Sequence, residues 1–377
     1  MVLSVLGDTF ADIVCLPLES LPTWGTDSLV SEPIRVMLGG SAANFAVHIA
    51  NLNRAGRFPL GTREDLGGAA AATATATAAE AEAFSGEGEP AAPTSTGGTV
   101  PPSPVQGCVL HTSVGSDDMG GFVRKKLGEF GVDWSQAKER EHQGACVVLS
   151  GRTDRSFVTH RGSTAEFCRE DIDVHRLLNS SHVHVAGFYN CPALVADLPG
   201  LLTEARARGA TCSLGPQWDA SEEWGGLDEL YPFLDVFMPN EVEALNISGC
   251  ADVYEAASFF LERGVGLVVV TRGDGGATAV SKARGGEGGD AEAAGEHARV
   301  TWEQKCVGVE VVDTTGAGDA FSAGFLHVWK ATGDVQAALR WGCALGTTVV
   351  TKVGASLTLS VEEDIRPNLP HLGQVTV

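Results

Sequence analysis

The sequence predicts an α/β domain with a mostly parallel central sheet, helices on both of its faces and a small β-layer at its side. Three observations carry this. Short apolar runs alternate with longer amphipathic stretches along most of the 377 residues. Several of the runs, such as Leu267-Val268-Val269-Val270, are continuously apolar, as strands buried on both faces are. Two segments, 13–37 and 145–160, break the alternation with strand-like sequence of their own. In chain order, strands are expected at 2–6, 108–112, 182–186, 211–214, 236–238 and 267–271. Helices are expected at 42–53, 119–130, 194–208, 253–263 and 335–351. Residues 277–280 and 299–302 read as the arms of a hairpin. In an open sheet of this kind ligands bind beyond the carboxyl ends of the strands, so chemistry is expected just after them.

Two stretches read as insertions. Of the 38 residues from 67 to 104, 32 are Ala, Gly, Thr, Pro or Ser, a composition that predicts a disordered surface segment. Residues 282–298, rich in Gly, Ala and Glu, read as an overgrown hairpin loop. The remainder is the size of one large α/β domain with no linker dividing it.

Composition excludes several function classes. Lys and Arg total 26 against 48 Asp and Glu, a formal charge of −22, and no basic run offsets it, which argues against nucleic-acid binding. An anionic substrate would have to be held by a few local positive groups, backbone N–H donors or a metal such as Mg²⁺. No apolar run approaches the ~20 residues of a membrane helix. The nine cysteines are odd in number and form no C-x-x-C pair, and the first residues lack a basic, apolar leader. A reduced, cytoplasmic protein is the expectation, although a cleaved organelle transit peptide would leave the same sequence.

The strongest motif is Asp313-Thr314-Thr315-Gly316-Ala317-Gly318-Asp319, followed by apolar residues at helical spacing, Phe321, Phe325 and Val328. Consecutive N–H groups of Gly316, Ala317 and Gly318 at a helix N-terminus can gather around a phosphate, and Asp319 beside them can take a proton from a hydroxyl. The bland alternative is a tight turn and a helix cap. Gly39-Gly40, with Ser41 as N-cap and Asn44 one turn on, suits a polyhydroxy ligand or simply a turn before a core helix. Asn240-Glu241-Val242-Glu243 follows an apolar run, so Glu243 can hold hydrated Mg²⁺ and Asn240 can touch a phosphate; an ordinary acidic first turn would look the same. The glycines after Thr271 can cradle nucleotide phosphates or make a hairpin turn. His182 and His184 share a strand face without a third ligand near them and read as core residues. The chain lacks the P-loop, Rossmann, nucleophile-elbow and zincin motifs.

In order and spacing, these three constellations (Gly39-Gly40 with Asn44, Asn240 with Glu243, and the 313–319 string) resemble the PfkB, or ribokinase-like, carbohydrate kinases. The resemblance covers the chain apart from the two insertions. It implies a single three-layer α/β/α domain over 1–377, with a β-lid from segments 13–37 and 145–160 that can also form a homodimer contact. It implies Asp319 as the base and Gly316, Ala317 and Gly318 as the anion hole. Asp12, Gly39, Gly40, Asn44 and Asn190 match sugar-binding positions. Asn240, Thr271, Gly273, Gly276 and Cys343 match the nucleotide side, and Glu243 the position that binds Mg²⁺ through water. By the same resemblance Asp313 and Thr315, with the 352–356 loop, match a monovalent-cation site for K⁺. The chain departs from the family pattern at Gly215, where many members are polar, and at Cys343, near the expected adenine pocket. The implied activity is ATP-dependent phosphorylation of a hydroxyl on a sugar or sugar-like alcohol. Adenosine or another nucleoside as acceptor is the alternative within the family, and a non-catalytic ribokinase-like ligand-binding protein is the alternative outside it.

Overall fold

In a computed structural model of the chain, the structure describes residues 1–54, 105–135, 139–151, 155–283, 298–371 and 374–376. The expected insertion at 67–104, and the 282–298 loop except for its ends, lie outside the described residues. The strands of the main sheet are β1 (Val2–Gly7), β4 (Gly107–His111), β5 (Asp133–Ser135), β8 (His182–Ala186), β9 (Thr211–Gly215), β10 (Val236–Phe237), β11 (Leu267–Thr271), β12 (Ala277–Lys282), β13 (Arg299–Gln304) and β14 (Gln374–Thr376). Their order is β14-β13-β12-β11-β10-β9-β8-β1-β4-β5. From β11 to β5 every pairing is parallel, while β12, β13 and β14 extend the edge as antiparallel strands.

Residue alternation on these strands separates two apolar cores. In β11, Leu267 and Val269 join one cluster, while Val268 and Val270 join the other. The first cluster is closed by α1 (Ser41–Arg54), α2 (Asp118–Glu129), α7 (Ala317–Thr332) and α8 (Val335–Val350). The second lies under α4 (Leu198–Ala207) and α6 (Val253–Glu262), with Phe237 and Phe260 ring to ring at 4.8 Å. Short helices α3 (Val174–Leu178) and α5 (Glu241–Ser248) complete the layers. Aspartates start several helices as expected of N-caps: Asp117 for α2, Asp252 for α6 and Asp334 for α8. One expected boundary moves. The helix anticipated at 194–208 begins at Leu198, because Pro199 suits the first helical turn, and a 3₁₀ turn at Val195–Asp197 precedes it.

The second sheet has the order β3-β2-β6-β7, made of β2 (Phe10–Leu18), β3 (Arg35–Gly39), β6 (Ala145–Gly151) and β7 (Arg155–His160). It is the small lid layer, but it starts earlier than residue 13. Phe10 and Ala11 are buried strand residues, and 19–34 form no strand. His182 and His184 are core groups as expected: His184 Nδ1 and His182 Nε2 each lie 2.8 Å from Ser213 Oγ, and burial holds His184 down at about 3. Among the described residues no helix is long and apolar enough to cross a membrane.

Candidate active site

The carboxyl end of β1 runs straight into Asp8, a buried aspartate. Its Oδ1 accepts the Ala42 N–H (3.0 Å) and its Oδ2 accepts Asn190 Nδ2 (2.8 Å), which ties the start of α1 to the segment after β8. One turn along α1, Asn44 does two jobs: its Nδ2 donates to Asp319 Oδ2 at 2.8 Å, and its Oδ1 accepts the Ser356 hydroxyl at 2.8 Å. Asp12 comes from the lid strand β2 and packs against Gly39 of β3, with which its neighbours are in register. A Cβ on Gly39 would fall 2.0 Å from Asp12 Oδ2, so only glycine lets that carboxyl sit there.

The 313–319 string forms the other wall. Asp313 Oδ1 accepts from Thr315 N–H (2.9 Å) and its hydroxyl (2.6 Å), while Oδ2 accepts the Gly354 N–H (2.9 Å). The aspartate therefore staples this loop to 352–356, as the paired assignment of those segments implies. α1 holds the same loop from the other side, through His48 Nε2 donating to Ala355 O and Asn51 Nδ2 to Leu357 O. Gly316 takes the left-handed conformation (φ 75°) and begins α7 without any side-chain cap. The start of this mostly buried helix thus has no side-chain cap, with Ala317 N–H on the Thr314 carbonyl (3.4 Å) and Asp319 in its first turn.

Asp319 is buried, with Asn44 at one oxygen and Gln217 Nε2 at the other, 2.9 Å from Oδ1. Burial pushes its carboxyl up to about 7; Asp8 adds to this and the amide donors oppose it. Asp12 is raised to about 7 by burial and by the charges of Asp8, Asp319 and Asp313. Glu243 is raised to about 7, again mainly by burial. Burial and mutual repulsion thus bring three nearby carboxyls to pKa values near 7.

Of the residues matched to the nucleotide side, Asn240, Thr271, Gly273 and Gly276 lie at adjacent strand ends and turns, while Cys343 does not. Asn240 pairs with Thr271 in an isolated parallel bridge, and Asn240 and Glu243 form a reciprocal capping box at the start of α5. The acidic-first-turn reading of Glu243 is therefore true of the fold, and its burial and its proximity to the Asp319 charge go beyond what a cap requires. Gly273 lies in the 3₁₀ turn joining β11 to β12, and Gly276 packs on the Gln304 carbonyl. Cys343 is fully buried on α8, its Sγ 3.8 Å from Gln304 O. Sequence reasoning did not single out Asp8 or Gln217. Asp8 had a readable signal, a charged residue ending an apolar strand; Gln217 had none, because its role depends on a backbone turn.

Residues from α1 and from the segment after β9 thus meet the buried carboxylate of Asp319, in the first turn of α7. Residues 106–362 match the pfkB family of carbohydrate kinases, and the chain belongs to that family: it is a phosphotransferase with an alcohol group as acceptor. Among curated relatives, the ATP-dependent ribose-1-phosphate kinase of Halopiger xanaduensis is 29% identical over 258 residues, 65% of this chain and 75% of the relative. The ribokinase of Haemophilus influenzae is 30% identical over 271 residues, 68% of this chain and 80% of the relative. An Escherichia coli protein assigned as ribokinase II, solved in complex with ATP and Mg²⁺, superposes with a TM-score of 0.67 at 21% identity, covering 96% of each chain.

Proposed function

We propose that this kinase transfers the γ-phosphoryl group of ATP to a hydroxyl of a sugar or sugar-like alcohol, with Asp319 as base and the N–H groups of Gly316, Ala317 and Gly318 as the anion hole. One observation carries the reading: a buried carboxylate, held at both oxygens by amides, sits in the first turn of a helix whose N-terminus has no side-chain cap. Phosphoryl transfer needs positioning and charge stabilisation more than covalent chemistry, and that arrangement supplies both. Asp12, Gly39, Gly40, Asn44 and Asn190 would line the acceptor under the lid, and Asn240, Thr271, Gly273, Gly276 and Cys343 the nucleotide. Glu243, buried and near the Asp319 charge, is the acidic group on the nucleotide side that fits a hydrated cation. Glu243 would hold Mg²⁺ through water, and the ion's chemistry is to neutralise phosphate charge. Asp313 and Thr315, with the 352–356 loop, would shape a K⁺ site against the anion hole.

The test is ADP release from Mg²⁺-ATP across a panel of sugars, sugar acids and nucleosides, with and without K⁺. Turnover on one compound names the acceptor and separates sugar from nucleoside. Absence of turnover in folded, ATP-binding protein would favour a non-catalytic ligand-binding protein. With Asp319 at about 7, kcat/KM should fall about tenfold per pH unit below pH 7, because protonation removes the base; a flat profile from pH 5 to 8 would remove Asp319 from that role. The lid leaves Trp24, Phe157 and Val158 exposed, and two lids pairing through them would bury these side chains. Sedimentation should show a dimer that Trp24→Asp with Val158→Asp converts to monomer, and a wild-type monomer at micromolar concentration would refute the pairing.

A further inference from the structure

Gln217 lies just beyond β9, where the sheet's carboxyl edge meets the site. Although it is not glycine, its φ is +66°, and Glu222 (57°) and Trp224 (55°) in the same loop are also left-handed. These three are the only non-glycine residues of positive φ among the described residues. L-residues avoid this region because Cβ crowds the backbone, and such strain persists only where the surroundings impose it. Here they do. Asp219 is buried in the loop and accepts from Ser221 N–H (2.9 Å), the Ser221 hydroxyl (2.8 Å) and Trp224 N–H (2.8 Å). The Trp218 and Trp224 rings meet edge to face at 5.0 Å, and Trp224 reaches Tyr189 at 5.9 Å. The result of this bracing is a side-chain amide 2.9 Å from Asp319 Oδ1.

We propose that Gln217 is a positioning residue for the base: the strained loop holds its amide on Asp319 Oδ1 while Asn44 holds Oδ2, so that two donors from separate segments set the plane of the carboxylate and keep it charged. The proposal rests on Asp319 being the base. The ionisable groups that face Asp319 are all acidic: Asp8 at the end of β1, Asp12 on the lid strand and Glu243 on α5. Each disfavours a second negative charge. Against them stand hydrogen-bond donors, namely the amides of Asn44 and Gln217 and the Ser41 hydroxyl. Asn44 is itself fixed by Ser356, so Gln217 is the donor whose placement depends on loop strain.

The full chain tests this. Gln217→Gly removes the amide and also relieves the left-handed strain, which offsets part of the lost hydrogen bond, so the chain should still fold with a thermal midpoint within a few degrees of wild type. The Asp319 carboxyl, followed by ¹³C NMR and assigned by its loss in Asp319→Asn, should titrate about one pH unit higher in Gln217→Gly. In Gln217→Glu, where a second carboxyl faces the first, it should titrate higher still. With Mg²⁺-ATP and D-ribose as the acceptor probe, the acid limb of kcat should move by the same amount while KM for ATP stays within about twofold. An unmoved carboxyl titration in the folded variant would overturn the proposal and leave the loop a structural brace. Full turnover in Asp319→Asn would instead bring down the base assignment, a failure told apart because the carboxyl titration is read without any acceptor.

Discussion

Replacing Asp319 with Asn should lower turnover at least ~100-fold, the low end for loss of a general base, while ATP binding by calorimetry stays close to wild type. The substitution preserves shape, and it removes the group proposed to accept the hydroxyl proton. Its effect on stability carries a definite sign. Asp319 titrates at about 7 in the folded protein against 3.8 for an ordinary aspartate. Between those values the folded chain therefore binds more protons than the unfolded one, and the wild type loses stability from this group as pH rises from about 4 to 7. Asn at the same position has no such dependence. The thermal midpoint of the variant, relative to wild type, should therefore rise between pH 5 and pH 8. Near-normal turnover would take Asp319 out of the mechanism; a relative midpoint that falls with pH would contradict the burial of its charge.

Gly316→Ala should damage both fold and activity. The position is left-handed, and a Cβ there would sit 2.3 Å from the Cβ of Ala355. Ala355 has little room to retreat, because its own carbonyl is bonded to His48 and the flanking loop to Asn44 and Asn51. A left-handed alanine costs about 1–2 kcal/mol, and forcing an extra methyl into a packed contact about 1–3 kcal/mol. Urea denaturation should therefore show a loss of about 2–5 kcal/mol. Displacing the N–H donors at the start of α7 should reduce kcat by a further factor of ~100 or more, as loss of an oxyanion donor does. Gly318→Ala is the control: its Cβ would meet nothing within 4 Å, so stability should hold while a methyl intrudes on the phosphoryl position. If Gly316→Ala folds and turns over like wild type, the close packing of the 313–319 and 352–356 loops has no role in forming the site.

Much of this was readable from local pattern. A continuous apolar run marked β11 at its observed limits, 267–271, because a strand buried on both faces has no polar side to interrupt it; β8 matched at 182–186 although His182 and His184 alternate with its apolar residues. The glycines and Asp319 announced the start of α7 at Gly316. The lid strand β2 was placed from 13 instead of 10, since Phe10 and Ala11 are apolar on both sides and give no alternation to mark where the strand leaves the core. The cap reading of Asn240 and Glu243 holds: they form a reciprocal capping box whose Glu243 is buried near the Asp319 charge.

Spacing along the chain was enough to establish element order and the start of α7 at Gly316, because each is a property of neighbouring residues. Tertiary structure alone decided which distant groups meet the Asp319 carboxylate. Asn44 lies 275 residues away from it and Gln217 lies 102, and neither separation has a period. The Gln217 contact exists because packing around Asp219 and two tryptophans holds an L-residue in a conformation its own sequence disfavours.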